Sequence, residues 1–351
     1  HQLVWDGDLR VERYWHPVSD ARVTDADEAV ERLGSMLGEI VPEQTVSDVP
    51  VGVFLSGGID STTVVAHLER PRTFTLGVDI KRRDESGPAR VIAERFGTDH
   101  HEEIAESIDL DEAVETVPGV YDEPFGDSSA WSNFLVSRLA RKYVTVALSG
   151  EGGDELFCGY QWYSKWPLQC STAWVRAMAS ALPPFSATAR SAQRRAATGL
   201  ERYAAFLSPF TLRQKQALIG PDLLDPDYDD LWHFREFWRE DLEPLKRLQW
   251  VDIHTYLPGD LLFKVDRASM AHSLEVRPPL LDHRLVEFAL SIDTSLLRDI
   301  EGNRGKLIMR RLMEGRVPEG FFDRPKRGFN LPIRNWVRKD PALLERALDR
   351  L

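Results

Sequence analysis

The 351 residues carry 44 Lys and Arg against 56 Asp and Glu, a net charge of −12; at roughly 100–200 residues per domain the length accommodates two or three domains. This acidic balance argues against broad attraction to nucleic acid or anionic lipid, and no apolar run approaches the ~20 residues of a membrane span. Any anionic ligand must therefore be caught by local groups. Cysteine is confined to Cys158 and Cys170, with no CxxC pair and no secretory signal at the start, so a reducing cytoplasm is the expected setting. The first residue is His1, and HQLVWDGDLRVERYWHP reads as a joint entered from something upstream. Residues 1–20 are accordingly expected to be a linker in an excised part of a longer protein.

Taken in chain order, VGVFL (51–55) is a short apolar, β-branched run closed by glycines, and STTVVAHLER (61–70) has the composition of a helix ending in basic residues. TFTLGV (73–78) predicts a second strand. In GPARVIAERFG, Ala89, Ile92, Ala93 and Phe96 recur at helical spacing with Gly97 at the C-cap. AWSNFLVSRLARKY (130–143) sets Trp131, Phe134, Leu135 and Leu139 on one face, and VTVAL (144–148) reads as a buried strand running into SGEGGDE. Strands alternating with amphipathic helices predict an α/β fold, a parallel doubly wound sheet whose ligand loops lie at the carboxyl ends of its strands. Beyond about residue 160 helix-compatible stretches dominate, such as SAQRRAATGLERYAAFL and RLVEFALSI. The expected division is a nucleotide-binding α/β core over 21–160 and a mostly helical part over 161–351 that completes the active site.

The loop of FLSGGIDS (54–61) opens a helix, so its free N–H groups and the helix dipole form a seat for phosphate oxygens. Gly57 and Gly58 permit close approach, Ser56 and Ser61 add hydroxyls, and Asp60 offers an oxygen ligand to a phosphate-bridging Mg²⁺. A tight βα turn with no ligand is the competing reading. Neither GxGxxG nor GK[ST] is present, which disfavours a dinucleotide fold and an ordinary P-loop. SGEGGDE (149–155) repeats the physics with Glu151, Asp154 and Glu155 within five residues; alone it could be a solvated acidic turn. Two such loops at neighbouring strand ends can hold a nucleotide and a metal together.

SGGIDS resembles the pyrophosphate-binding loop of the ATP pyrophosphatases that make adenylates. With TFTLGV, DEPFGDSSA, LSGEGGDELFCGY, YLPGDLLFKVDRASMAHSLEVRPPLLDHRLVEFA and RPKRGFNLPI in order, the chain is similar, from about residue 10 to 340, to the synthetase domain of glutamine-hydrolysing asparagine synthetase. The resemblance implies that Leu55 and Leu76 flank the adenine of ATP, that Ser149 and Gly150 meet the nucleotide, and that Ser56, Gly57, Gly58 and Ser61 cradle the pyrophosphate. It implies Asp60 and Asp154 as Mg²⁺ ligands and places Glu151 at the family's catalytic glutamate, where β-lactam synthetase relatives carry tyrosine. Glu275 and Lys326 match further active-site positions. Cys158 departs from the pattern, standing where the family usually shows glycine; a small buried thiol is the expected reading. By the same resemblance a glutaminase domain, which needs an N-terminal cysteine, is expected to be absent from a chain that begins at His1, and LERALDRL is expected to fall short of a final helical segment.

The implied chemistry needs these residue types. A carboxylate attacking the α-phosphorus of ATP meets an anion, so metal, Lys326 and backbone N–H groups must offset the growing charge. An amine attacking the acyl-adenylate must lose a proton, and Glu151 is the candidate acceptor, with Glu275 shaping the pocket. A solvated basic loop competes for Lys326, and an ion pair with Arg277 competes for Glu275. The expected activity is adenylation of the aspartate side chain, with release of AMP and pyrophosphate, followed by transfer of ammonia. The alternatives are a relative acting on another carboxylate, such as a peptide or antibiotic precursor, and a catalytically dead nucleotide sensor or scaffold. The expected partners are ATP, aspartate or a related carboxylate, and ammonia from the missing glutaminase domain, with neither nucleic acid nor membrane; a homodimer is one open expectation for the assembly.

Overall fold

A computed structural model describes residues 1–17, 22–78, 84–105, 110–123, 125–165, 177, 181–208, 210–219, 223, 225, 227–324, 341–342 and 345. At its centre are five strands, β3 (Val51–Phe54), β4 (Arg72–Val78), β5 (Asp99–Ala105), β6 (Val146–Leu148) and β7 (Glu275–Arg277), in the order β5-β4-β3-β6-β7, every neighbouring pair parallel. The α/β expectation is met. Helices α2 (Ile59–Val65), α3 (Ser86–Phe96), α4 (Leu110–Tyr121) and α5 (Ala130–Arg141) make the crossovers, and Gly97 caps α3 as expected.

Alternation along the strands divides the core in two. Val53 and Leu55 face one cluster with Leu33, Leu37 and Ile40 of α1 (Ala26–Glu43) and with Leu248, Leu285 and Phe288 of the later helices. Phe74 and Leu76 face the other, with Trp131, Phe134, Leu135 and Leu139, the four residues assigned to one face of α5. Helix α1, capped by the Asp25 carboxylate accepting from the Glu28 N–H at 2.9 Å, adds an element to those expected from the sequence.

Several boundaries differ from the sequence reading, including β6, which starts at Val146 rather than 144. Helix α2 starts at Ile59 rather than 61 and ends at Val65, where Ala66 gives way to a turn. The stretch 191–207 is broken at Ala197 and Thr198, both extended, into the helices Ala187–Ala196 and Gly199–Leu207. Residues 2–12, expected as linker, form the antiparallel pair β1 (Gln2–Trp5) and β2 (Leu9–Glu12). The later half is mostly helical as expected, yet it contributes the edge strand β7 to the sheet. Among the described residues no helix is long and apolar enough to cross a membrane.

Candidate active site

From β3 the chain winds outward through β4 to β5 and then crosses back to β6 on the other side. The carboxyl ends of β3 and β6 therefore form the topological switch point, where a crevice opens in such sheets. Both glycine loops emerge there. In the first, the Gly58 N–H donates to Ser56 Oγ at 3.2 Å, the Ser56 N–H donates to Ser61 Oγ at 3.2 Å, and the two hydroxyl oxygens lie 3.2 Å apart. Gly57 sits at φ 70°, and a Cβ there would stand 2.7 Å from the Pro88 carbonyl carbon, so only glycine fits. A Cβ on Gly150 would stand 2.8 Å from the Ser61 nitrogen. The bare backbone of Gly150 is what lets the two loops touch.

The second loop is fixed by β7, because the Ser149 N–H donates to the Arg277 carbonyl at 2.9 Å. The Ser149 hydroxyl is buried without a hydrogen-bond partner, a polar atom directed to a ligand or water. Behind the loop Glu155 is buried and accepts from the Tyr160 hydroxyl; burial, then the nearby Asp154, pushes its pKa up to about 8. Asp252 is buried too, accepts from the hydroxyls of Tyr163 and, at 2.5 Å, Tyr203, and is raised by burial to about 7. Cys158 is wholly buried at φ 53°, its thiol pushed up to about 12 by burial. The left-handed backbone accounts for the glycine usually found at this place in the family pattern, and the thiol is not a nucleophile in waiting.

The sequence reading missed one candidate site residue, Lys306. A two-residue ribbon, β8 (Arg298–Asp299) with β9 (Arg304–Gly305), delivers it to the loops, and its N–H donates to the Phe157 carbonyl at 3.0 Å. Its ammonium, 5% exposed, reaches Asp60 Oδ2 at 2.5 Å and Asp154 Oδ1 at 2.8 Å. A lysine following Gly305 in a basic stretch carries no motif, and its partners lie 246 and 152 residues away. Since one ammonium meets both carboxylates, Asp60 and Asp154 face a common point that also suits a divalent cation. No cluster of three His, Cys, Asp or Glu able to hold a metal occurs among the described residues. The donor set therefore fits an ion that takes one or two carboxylates and completes its shell with phosphate oxygens and water, as Mg²⁺ does.

These groups line one cavity of about 1700 Å³. It brings together Leu55, Ser56, Gly58, Asp60, Ser61, Leu76, Ser149, Gly150, Glu151 and Asp154, with Lys306, Arg304, Arg310 and Arg324 adding positive charge. Gly57 shapes the wall from behind, and its carbonyl accepts from Arg324. Glu275 stands apart: it begins β7 opposite Val146, away from the carboxyl ends, is exposed, and pairs with Arg277 at 2.6 Å. Neither it nor the rest of β7 lines the cavity, and the Arg277 guanidinium turns instead to the carbonyls of Gln44 and Val46, both at 2.9 Å. Lys326 lies outside the described residues.

The family model described as asparagine synthase matches residues 32–351. The chain is 32% identical over 350 residues to the Bacillus subtilis (strain 168) protein named asparagine synthetase [glutamine-hydrolyzing] 1, covering 95% of this chain and 55% of that one. It is 35% identical over 356 residues to a putative asparagine synthetase [glutamine-hydrolyzing] of Mycobacterium tuberculosis (strain ATCC 25618 / H37Rv), covering 95% and 53%. A more distant match, 25% identical over 398 residues, covers 96% of this chain and 58% of a Gibberella zeae protein named Amidase chry2. The chain thus spans about half the length of the curated relatives it matches.

Proposed function

The chain belongs to the asparagine synthase family, and from that premise we propose that it is the synthetase part of an amide-forming ligase that adenylates the aspartate side chain with ATP and amidates it to asparagine. The observation that carries the reading is the contact of two glycine loops at the switch point, with Asp60, Asp154 and Lys306 joined across it. ATP would lie with its adenine between Leu55 and Leu76, the nucleotide against Ser149 and Gly150, and its β- and γ-phosphates on Ser56, Gly57, Gly58 and Ser61. A carboxylate oxygen attacks the α-phosphorus, the bond to the bridging oxygen breaks, and pyrophosphate leaves with the electron pair. Asp60 and Asp154 would hold Mg²⁺, which when bound offsets phosphate charge. Lys306 adds fixed positive charge beside them, and Lys326 is proposed to act on the same phosphates.

Ammonia then attacks the acyl carbon, the bond from that carbon to the AMP oxygen breaks, and Glu151 takes the proton shed by nitrogen. Glu275, placed outside the cavity, would act as a positioning residue through Arg277 and β7. The names of the bacterial relatives support glutamine as the nitrogen source, hydrolysed by a part of the protein other than this chain. A second reading, in which the same chemistry acts on a different carboxylate, is favoured only in that one matching relative is not named for asparagine. Exchange of labelled pyrophosphate into ATP across a panel of carboxylates tests both. Aspartate is expected to give the highest exchange; a different best carboxylate selects the second reading, and exchange with none leaves a nucleotide-binding scaffold.

A further inference from the structure

Lys306 meets both glycine loops at one point, and both oxygens of Asp60 are turned to it. Its ammonium lies 2.6 Å from Asp60 Oδ1 and 2.5 Å from Oδ2, at the start of α2, and 2.8 Å from Asp154 Oδ1, just past the second loop. The backbone that carries it is tightly fixed. Lys306 stands at φ 59°, its N–H is taken by the Phe157 carbonyl, and a Cβ on Gly305 would come 2.3 Å from the Cys158 carbonyl oxygen. Buried Arg298 donates to that same carbonyl at 2.8 Å and to Asn303 Oδ1 at 2.7 Å, clamping the ribbon of β8 and β9 onto the end of the second loop. The movable part is the four-carbon stem of the lysine.

Two carboxylates and one ammonium sum to a single negative charge. A divalent cation added beside the ammonium would reverse that sign, and one put in its place would strand a nearly buried ammonium away from its partners, which is costly. Free metal and Lys306 therefore compete. Nucleotide phosphates remove both obstacles, because they bring the negative charge that lets two cations share one corner and offer the ammonium strong acceptors of its own. The phosphate seat of Ser56, Gly58 and Ser61 lines the same cavity as Lys306 and runs directly into α2, which carries Asp60. The ammonium needs only to turn on its stem to reach it.

We infer that Lys306 is a tethered cation that holds Asp60 and Asp154 against free divalent metal and yields them to a metal that arrives with a nucleoside triphosphate. The inference goes beyond amide formation and rests on the reading of these two carboxylates as metal ligands. It explains why the lysine is aimed at the carboxylates rather than at the phosphate seat. Between turnovers it pins the two loops together, and with nucleotide bound it turns its charge to the phosphates.

The test is a titration of Mn²⁺, a paramagnetic probe for a Mg²⁺ site, into the parent chain and into Lys306→Met, with the free ion read by electron paramagnetic resonance. Each titration is run without nucleotide and with α,β-methylene-ATP, which cannot release pyrophosphate. Without nucleotide, Lys306→Met is expected to bind Mn²⁺ at least about 10-fold more tightly than the parent, a coupling of ordinary size between two sites, and to bind the nucleotide analogue more weakly. Arg304→Met removes the same charge from the cavity without taking a printed partner from either carboxylate, so its Mn²⁺ affinity should stay within about 3-fold of the parent. Equal or weaker Mn²⁺ binding by Lys306→Met, or an equal gain in Arg304→Met, overturns the inference. Parent protein that binds Mn²⁺ as tightly without the analogue as with it overturns the inference with no variant needed. Should Lys306→Met not fold, Lys306→Gln, whose amide still donates to one carboxylate, makes the same comparison. Pyrophosphate exchange is read separately, so its failure with every acid removes the adenylating reading while the metal titration still decides the role of Lys306.

Discussion

Replacing Asp60 or Asp154 by asparagine is expected to lower pyrophosphate exchange by at least about 10²-fold, since loss of even an outer partner of a metal ligand costs 10–100-fold. Asparagine keeps the shape of the side chain and removes its charge. Both carboxylates are bonded to the Lys306 ammonium, which is 5% exposed, so each substitution also takes one of its two partners from a nearly buried cation. A stability loss is expected beside the catalytic one, because an incompletely paired buried charge is costly. The two effects separate in a denaturant titration run alongside exchange. Folded protein with exchange lost at saturating Mg²⁺ is the expected outcome for both variants. Normal exchange in either would remove that carboxylate from the metal and phosphate site.

Glu151→Gln is expected to lower asparagine formation by ~10²–10⁴-fold, the usual cost of a lost general base, while exchange in the absence of ammonia stays within a few-fold of the parent. Glu151 lines the cavity at the turn between β6 and the short helix Gly153–Leu156, and the phosphate seat belongs mainly to the other loop. Adenylation and amide formation should therefore respond differently. Measuring both rates on one preparation gives the answer. Equal loss of both would mean that Glu151 holds the loop together, and unchanged turnover would move the proton acceptor elsewhere, with Glu275→Gln the next variant to measure.

The sheet and its loops were legible because their signals are local. The apolar strand 51–55 and the glycines that follow it declare a strand and a tight turn within eight residues, and α5 shows its buried face through Trp131, Phe134, Leu135 and Leu139. Strand β7 was not legible, since Glu275–Arg277 is too short to show a period and lies between a helix and two prolines. Lys306 escaped for a different reason: its meaning comes from Asp60 and Asp154, which only the fold brings to it. Asp252 reads in RLQWVDIHTY as one polar residue on a helix face, and only packing against Tyr163 and Tyr203 reveals a buried acid. Glu275 shows the converse, a motif position whose side chain the fold turns toward Arg277 and solvent.

The central claim is that a carboxylate oxygen attacks the α-phosphorus of ATP in this cavity. Aspartate labelled with ¹⁸O in its side-chain carboxylate, incubated with ATP, Mg²⁺ and ammonium, tests it most directly by mass analysis of the phosphate-bearing products. The expected result is asparagine with one labelled oxygen transferred to AMP and unlabelled pyrophosphate. Label in inorganic phosphate together with ADP would place the attack on the γ-phosphorus and contradict the account.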